Sequence, residues 1–98
     1  KGTDIASAGG NPVIAAKGGT VVKSYYSSSY GNYIVINHGG GLMTAYAHLS
    51  ARYVQVGATV STGQQIGKVG STGASTGNHL HFEVIINGSQ VNPMQYFS

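Results

Sequence analysis

The sequence has no cysteine and no tryptophan, and its 98 residues include only two acids, Asp4 and Glu83. Without thiols there can be no disulfide framework, no cysteine-held zinc or iron–sulfur cluster and no thiol nucleophile. Charged residues of both signs make up 7% of the chain. The five cations, Lys1, Lys17, Lys23, Arg52 and Lys68, are scattered, whereas nucleic-acid binding needs a dense basic stripe. A formal charge of +3 gives only a mild preference for anionic surfaces. Apolar runs last a handful of residues, too few for a membrane-spanning helix. No stretch repeats apolar residues at i, i+3, i+4 and i+7, so a long amphipathic helix is excluded as well.

What the chain does have is glycine, tyrosine and short apolar runs: 16 glycines, seven tyrosines and 41% hydrophobic residues. That is enough apolar material for a core, and 98 residues suit one domain, 1–98, expected to be a monomer. β-Branched and aromatic residues cluster in runs that read as strands over Pro12–Ala16, Gly19–Tyr26, Asn32–Asn37, Leu42–His48, Thr59–Val60, Gln65–Val69 and Leu80–Ile86. Glycine-rich turns separate them at Lys17–Gly19, Ser27–Gly31, His38–Gly41, Gly63–Gln64, Gly70–Asn78 and Asn87–Gly88. The expectation is an all-β fold, a mostly antiparallel sheet or sandwich with long loops that form a groove.

Chemistry concentrates in Gly77-Asn78-His79-Leu80-His81-Phe82-Glu83-Val84. On a strand, residues two apart share a face and lie roughly 6.5–7 Å apart. His79, His81 and Glu83 therefore line one face, and Leu80, Phe82 and Val84 the buried one. An isolated His-x-His is most often a plain polar strand face. Here His48 closes another apolar strand, and Asp4 supplies a carboxylate. A carboxylate, two strand histidines and a third histidine are the groups that a hydrolytic zinc centre uses, with water in the remaining position.

Three motifs, in order, carry a family resemblance: Gly2-Thr3-Asp4-Ile5-Ala6, Thr44-Ala45-Tyr46-Ala47-His48-Leu49-Ser50, and the run from Val56 to Gly73 followed by Ser75–Val84. Together they resemble the lysostaphin/LytM-type zinc endopeptidases over nearly the whole chain. The resemblance implies a Zn2+-dependent peptidase that cuts cross-links or stem peptides of bacterial peptidoglycan, at the cell wall or outside the cell. It implies Asp4 and His81 as zinc ligands and His48 and His79 as the catalytic pair. The family's first motif is His-x-x-x-Asp, and four residues before Asp4 falls immediately ahead of Lys1. The 98 residues alone are therefore expected to bind zinc weakly and to show little activity. A longer native chain, a substitute ligand such as His38, the Lys1 amine or water, and a non-catalytic relative acting as a wall-binding or hydrolase-activating module are the three explanations.

Two loops could wall a peptide groove. Ser24–Asn32 offers tyrosines and hydroxyls, and Gly70–Asn78 offers hydroxyls next to the histidine strand. Tyr30, Asn32, Thr44, Ser75 and Thr76 are the candidate groove residues. His38, in a turn, reads mainly as a structural histidine. Glu83 reads equally as a partner orienting a ligand imidazole or as a solvated carboxylate. The scissile bond is left open among glycyl–glycine, D-alanyl–glycine and D-alanyl–diaminopimelate links.

Overall fold

Alternating apolar runs and glycine turns become antiparallel strands in a computed structural model, which describes residues 3–6, 11–70 and 79–91, with side chains for 11–70 and 81–88. Among the described residues nine strands form one sheet: β1 (Thr3–Ala6), β2 (Pro12–Ile14), β3 (Gly19–Ser27), β4 (Gly31–Gly39), β5 (Leu42–Arg52), β6 (Thr59–Val60), β7 (Gln65–Val69), β8 (His79–Ile86) and β9 (Ser89–Val91). The main order is β1-β8-β5-β4-β3-β6, while β7 branches from β5 to pair with β2, and β9 pairs with β8. Every pairing is antiparallel. The expected all-β domain is present.

The strands run close to their expected limits. β3, β4, β5 and β8 are each extended, β2 is trimmed, and β6 and β7 match. The short strands β1 and β9 were not anticipated. β4 continues through His38 to Gly39, so His38 lies on a strand and not in the turn. The reversal to β5 uses Gly39, Gly40 and Gly41, all at positive φ (90°, 62° and 84°), where a side chain would be strained.

The sheet curls, so its faces differ. One face packs the main core, in which Val21, Ile34, Ile36, Tyr46, Leu49, Ile66 and Val84 are almost fully buried. Each such aliphatic side chain contributes about 1.5–3 kcal/mol by leaving water. The other face carries a smaller cluster of Tyr33, Val35, Ala45 and Ala47, flanked by Met43 and Ile85. Among the described residues three polar ones are also buried: Thr44, His48 and Glu83. Their placement defines the rest of the molecule.

Thr44 belongs to the main-core face. The Ala16 N–H meets Tyr46 Oη at 3.0 Å, Tyr46 Oη meets Thr44 Oγ1 at 2.8 Å, and Thr44 Oγ1 meets His38 Nε2 at 2.7 Å. His38 Nδ1 lies 2.9 Å from the Gly18 carbonyl oxygen. A carbonyl only accepts, so Nδ1 carries a proton. In the neutral ring Nε2 then accepts from Thr44, Thr44 from Tyr46, and Tyr46 from Ala16. The chain begins and ends on backbone, which is how a buried polar group avoids its desolvation penalty.

Candidate active site

The period of two along β8 sends Phe82 and Val84 into the main core and sets His81 and Glu83 on the opposite face. The register then fixes their neighbours. His81 stands opposite Ala47 on β5 and opposite Asp4 on β1, and Glu83 stands opposite Ala45. Asp4 and Ala47 thus flank His81 at one level of the sheet. The small Ala45 and Ala47 side chains leave room beside the larger polar ones.

His48 reaches this face by a different device. Strict alternation along β5 would put it with Thr44 and Tyr46, in the main core. Instead Asn32 pairs with Leu49 and Ile34 with Tyr46, so Ala47 and His48 together oppose the single residue Tyr33. This is a β-bulge, with one surplus residue on β5. His48 takes the left-handed conformation, φ 62°, which is uncommon for a non-glycine residue. Its N–H donates to the Tyr30 carbonyl at 2.7 Å, holding the bulge against the Ser27–Gly31 turn. The phase of the strand is reset. Leu49 returns to the main core, fully buried, and His48 joins His81.

The two imidazoles meet edge to face, with ring centroids 6.0 Å apart and planes at 73°. His81 Nε2 lies 3.0 Å from Glu83 Oε2, with the His81 side chain 22% exposed and that of Glu83 only 4%. The tyrosines form a ledge beside them. Tyr30 stacks on Tyr33 at 4.6 Å and 15°, and Tyr25 tilts against Tyr33 at 5.5 Å. Burial, then the nearby Glu83 carboxylate, then Tyr30 and Tyr25 push the Tyr33 phenol up to about 12. Tyr30 and Tyr25 remain accessible on the surface.

The expected site residues divide accordingly. His48 and His81 come together, and the backbone of Asp4 stands opposite His81. His79 lies two residues before His81 on β8, opposite Ala6. The side chains of Asp4 and His79, and all of Ser75 and Thr76, lie outside the described residues. Among the described residues, no group of three or more histidines or acids forms a metal cage.

Tyr30 is exposed at the surface, whereas Thr44 cannot line a groove. It is 2% exposed on the opposite face and bonded to His38 and Tyr46, so no substrate reaches it. Asn32 is tied down as well. Its amide donates to the Leu49 carbonyl at 2.9 Å and accepts from Arg52 Nε at 3.0 Å, which makes it a brace between strands. His38 cannot serve as a substitute ligand, since both ring nitrogens are engaged far from His81. Sequence reasoning missed Tyr33, which is signalled only by its register opposite the bulge. Glu83, at 3% exposure, is not the solvated carboxylate of one expectation.

With this geometry in view, comparison with known proteins is direct. The profile of Peptidase family M23 matches residues 1–93. The chain belongs to peptidase family M23. This M23 domain is 45% identical over 93 residues to the peptidoglycan DD-endopeptidase ShyC of Vibrio cholerae, covering 95% of this chain and 22% of that protein. It is 48% identical over 94 residues to ShyA of the same organism, covering 96% of this chain and 22% of the relative. It spans about a fifth of the length of these curated relatives. Among solved structures, the catalytic domain of lysostaphin from Staphylococcus simulans superposes with a TM-score of 0.89 at 38% identity, over 97% of this chain and 76% of that one. A zinc-containing peptidase from Vibrio cholerae superposes at 0.89 and 41% identity, over 92% of this chain and 28% of that one.

Proposed function

We propose that this M23 domain is a zinc-dependent endopeptidase that hydrolyses peptide cross-links or stem peptides of peptidoglycan in the bacterial envelope or outside the cell. The observation that carries this reading is the bulge that sets His48 against His81, 6.0 Å between ring centroids, on the sheet face where the register brings Asp4 opposite His81. Relatives named as peptidoglycan DD-endopeptidases and the lysostaphin superposition support the substrate class.

The donor set suits zinc: an imidazole and a carboxylate from adjacent, in-register strands are hard-to-borderline ligands of the type zinc takes. Asp4 and His81 are the residues proposed to hold it. Zinc bound there would polarise the scissile carbonyl and lower the pKa of its water to about 7. The chain's own residues handle protons and position the substrate. His48, as neutral imidazole, accepts a proton from the attacking water and returns it to the leaving amine. His79, on the same strand as His81, is the second catalytic histidine. The Tyr30–Tyr33 ledge offers flat faces to an extended peptide, and the hydroxyls of Ser75 and Thr76 are proposed to add polar contacts to it.

Digestion of defined muropeptides by the full-length protein, read by mass spectrometry, tests the reading and names the bond. His48→Ala and His81→Ala are each expected to abolish cleavage while circular dichroism stays unchanged, and a chelator should do the same. Cleavage that survives both substitutions in folded protein would overturn the proposal.

A further inference from the structure

A lysine stands on the site face because β3 carries a bulge of its own. Val21 pairs with Ile36 and Lys23 with Val35, so β3 has one surplus residue, Val22, and its alternation is reset there. Val21 and Ile36 are core residues, and strict alternation would send Lys23 in beside them. After the bulge Lys23 shares the side of Val35 instead. Ser24, opposite Ile34, takes the core side, where its Oγ donates to the Val54 carbonyl at 2.7 Å. Tyr25 keeps the same phase as Lys23, since its ring tilts against Tyr33 on the site face. β3 thus uses the device of β5: one extra residue turns a polar side chain out of the core and onto the face of His48 and His81.

Strands β3, β4, β5 and β8 hold two lysine or arginine residues, Lys23 and Arg52. Arg52 is committed elsewhere, its Nε donating to Asn32 Oδ1 at 3.0 Å and its Nη1 to Ser24 Oγ at 3.2 Å. Lys23 is exposed, and among the described residues no hydrogen bond or ion pair involves it. Its cross-strand row continues through Val35 and Ala45 to Glu83, three strand spacings or about 14 Å away. Glu83 already meets His81, and Val35 and Ala45 bring no polar side chain to the space between. The neighbouring row runs from Tyr25 through Tyr33 to Ala47, His48 and His81. Lys23 and His81 are about 16 Å apart between Cα atoms, the span of roughly five residues of extended chain.

We infer that Lys23 is a specificity-determining residue that receives a free carboxylate of the substrate peptide, within about five residues of the scissile bond. This role rests on the proposed function and narrows it. Among the bonds left open it favours those in acidic stem peptides, D-alanyl–diaminopimelate links among them, over an all-glycine bridge. An ammonium on a flexible four-carbon stem suits a carboxylate whose position varies, and the tyrosine ledge beside it gives the intervening peptide a surface to lie along.

The test uses the full-length protein and pairs of soluble peptidoglycan peptides, identical except that the carboxylate is free in one and a carboxamide in the other. The wild type should show a KM about 2–5-fold lower for the free acid, the scale of an exposed ion pair, with kcat alike for both. Lys23→Gln should bring the ratio close to one, Lys23→Arg should keep it, and Lys23→Glu should invert it. High salt should narrow the wild-type ratio. Equal KM values in the wild type overturn the inference, and so does a preference that survives Lys23→Gln. Calorimetric titration of the same pairs separates this role from the peptidase reading. Peptides bound with a Lys23-dependent preference but never cleaved would sink the peptidase reading and leave Lys23 standing. Peptides cleaved without that preference would do the reverse, and peptides neither bound nor cleaved would overturn both.

Discussion

Strand β5 carries two buried polar groupings, one on each side of the sheet. Thr44 and Tyr46 join His38 in a chain that starts at the Ala16 N–H and ends at the Gly18 carbonyl, so its protons are fully assigned within the fold. Ala45 and Ala47 line the opposite side, where His48 meets His81 and His81 meets Glu83. There the imidazole of His81 still reaches solvent, with 22% of its side chain exposed. The first grouping stitches loops to strands, and the second leaves the His81 imidazole partly open to the surface. The two histidines, His38 and His48, are ten residues apart on adjacent strands, and what separates their roles is which side of the sheet each faces.

Substitutions can break this contrast. His48→Gly should have the largest effect on the site side. The left-handed position suits glycine, so stability should hold or rise by up to about 1 kcal/mol, while loss of the proposed proton carrier should lower cleavage about 10²–10⁴-fold. A stable, fully active His48→Gly protein would mean that His48 only shapes the bulge. Leu49→Ala, one residue on and facing the main core, should cost about 2–5 kcal/mol in urea unfolding. A cost well below that range would mean that Leu49 is not the residue that the bulge returns to the core.

Smaller effects sharpen the comparison. Tyr46→Phe removes the hydroxyl that links Ala16 to Thr44 and should cost about 1–3 kcal/mol, with no change in the pH profile of cleavage. A shifted profile would mean that the two groupings communicate. The last effect is seen only in alkali. The Tyr33 phenol is held up to about 12 by burial and then by Glu83, above its ordinary value near 10. Between those values the folded chain keeps a proton that the unfolded chain has lost. The stabilisation is therefore complete below about pH 10 and disappears as pH rises towards 12. Thermal melts of Tyr33→Phe should show a shallower fall over that window. Identical slopes in the two proteins would remove Tyr33 from the account.

Most of the strand plan was readable from the chain, because glycine turns and period-two runs act locally. The shared face of His81 and Glu83 follows from that period alone. β1 and β9 were missed because strands of four and three residues have too few positions to show a pattern. Thr44 was misjudged, and His38 rightly read as structural but misplaced in a turn, for a different reason. Thr44 looks like a surface hydroxyl and His38 like a turn residue until Gly18, Thr44 and Tyr46 are brought together by long-range pairing. No local rule places His48 beside His81. Period two would bury it beside Tyr46, and only the two-for-one pairing against Tyr33 brings it out.

That pairing makes the length of β5 as consequential as its spelling. Removing His48 or Leu49 would restore strict alternation with β4, and the remaining letters could stay as they are. The imidazole would be lost in the first case and swung inward in the second, and Ser50 would be the next residue after Ala47 on the site face. Relatives that keep this chemistry should therefore tolerate many changes of identity in this segment but almost no insertion or deletion. Libraries built to diversify the domain should vary its composition here and leave its residue count alone.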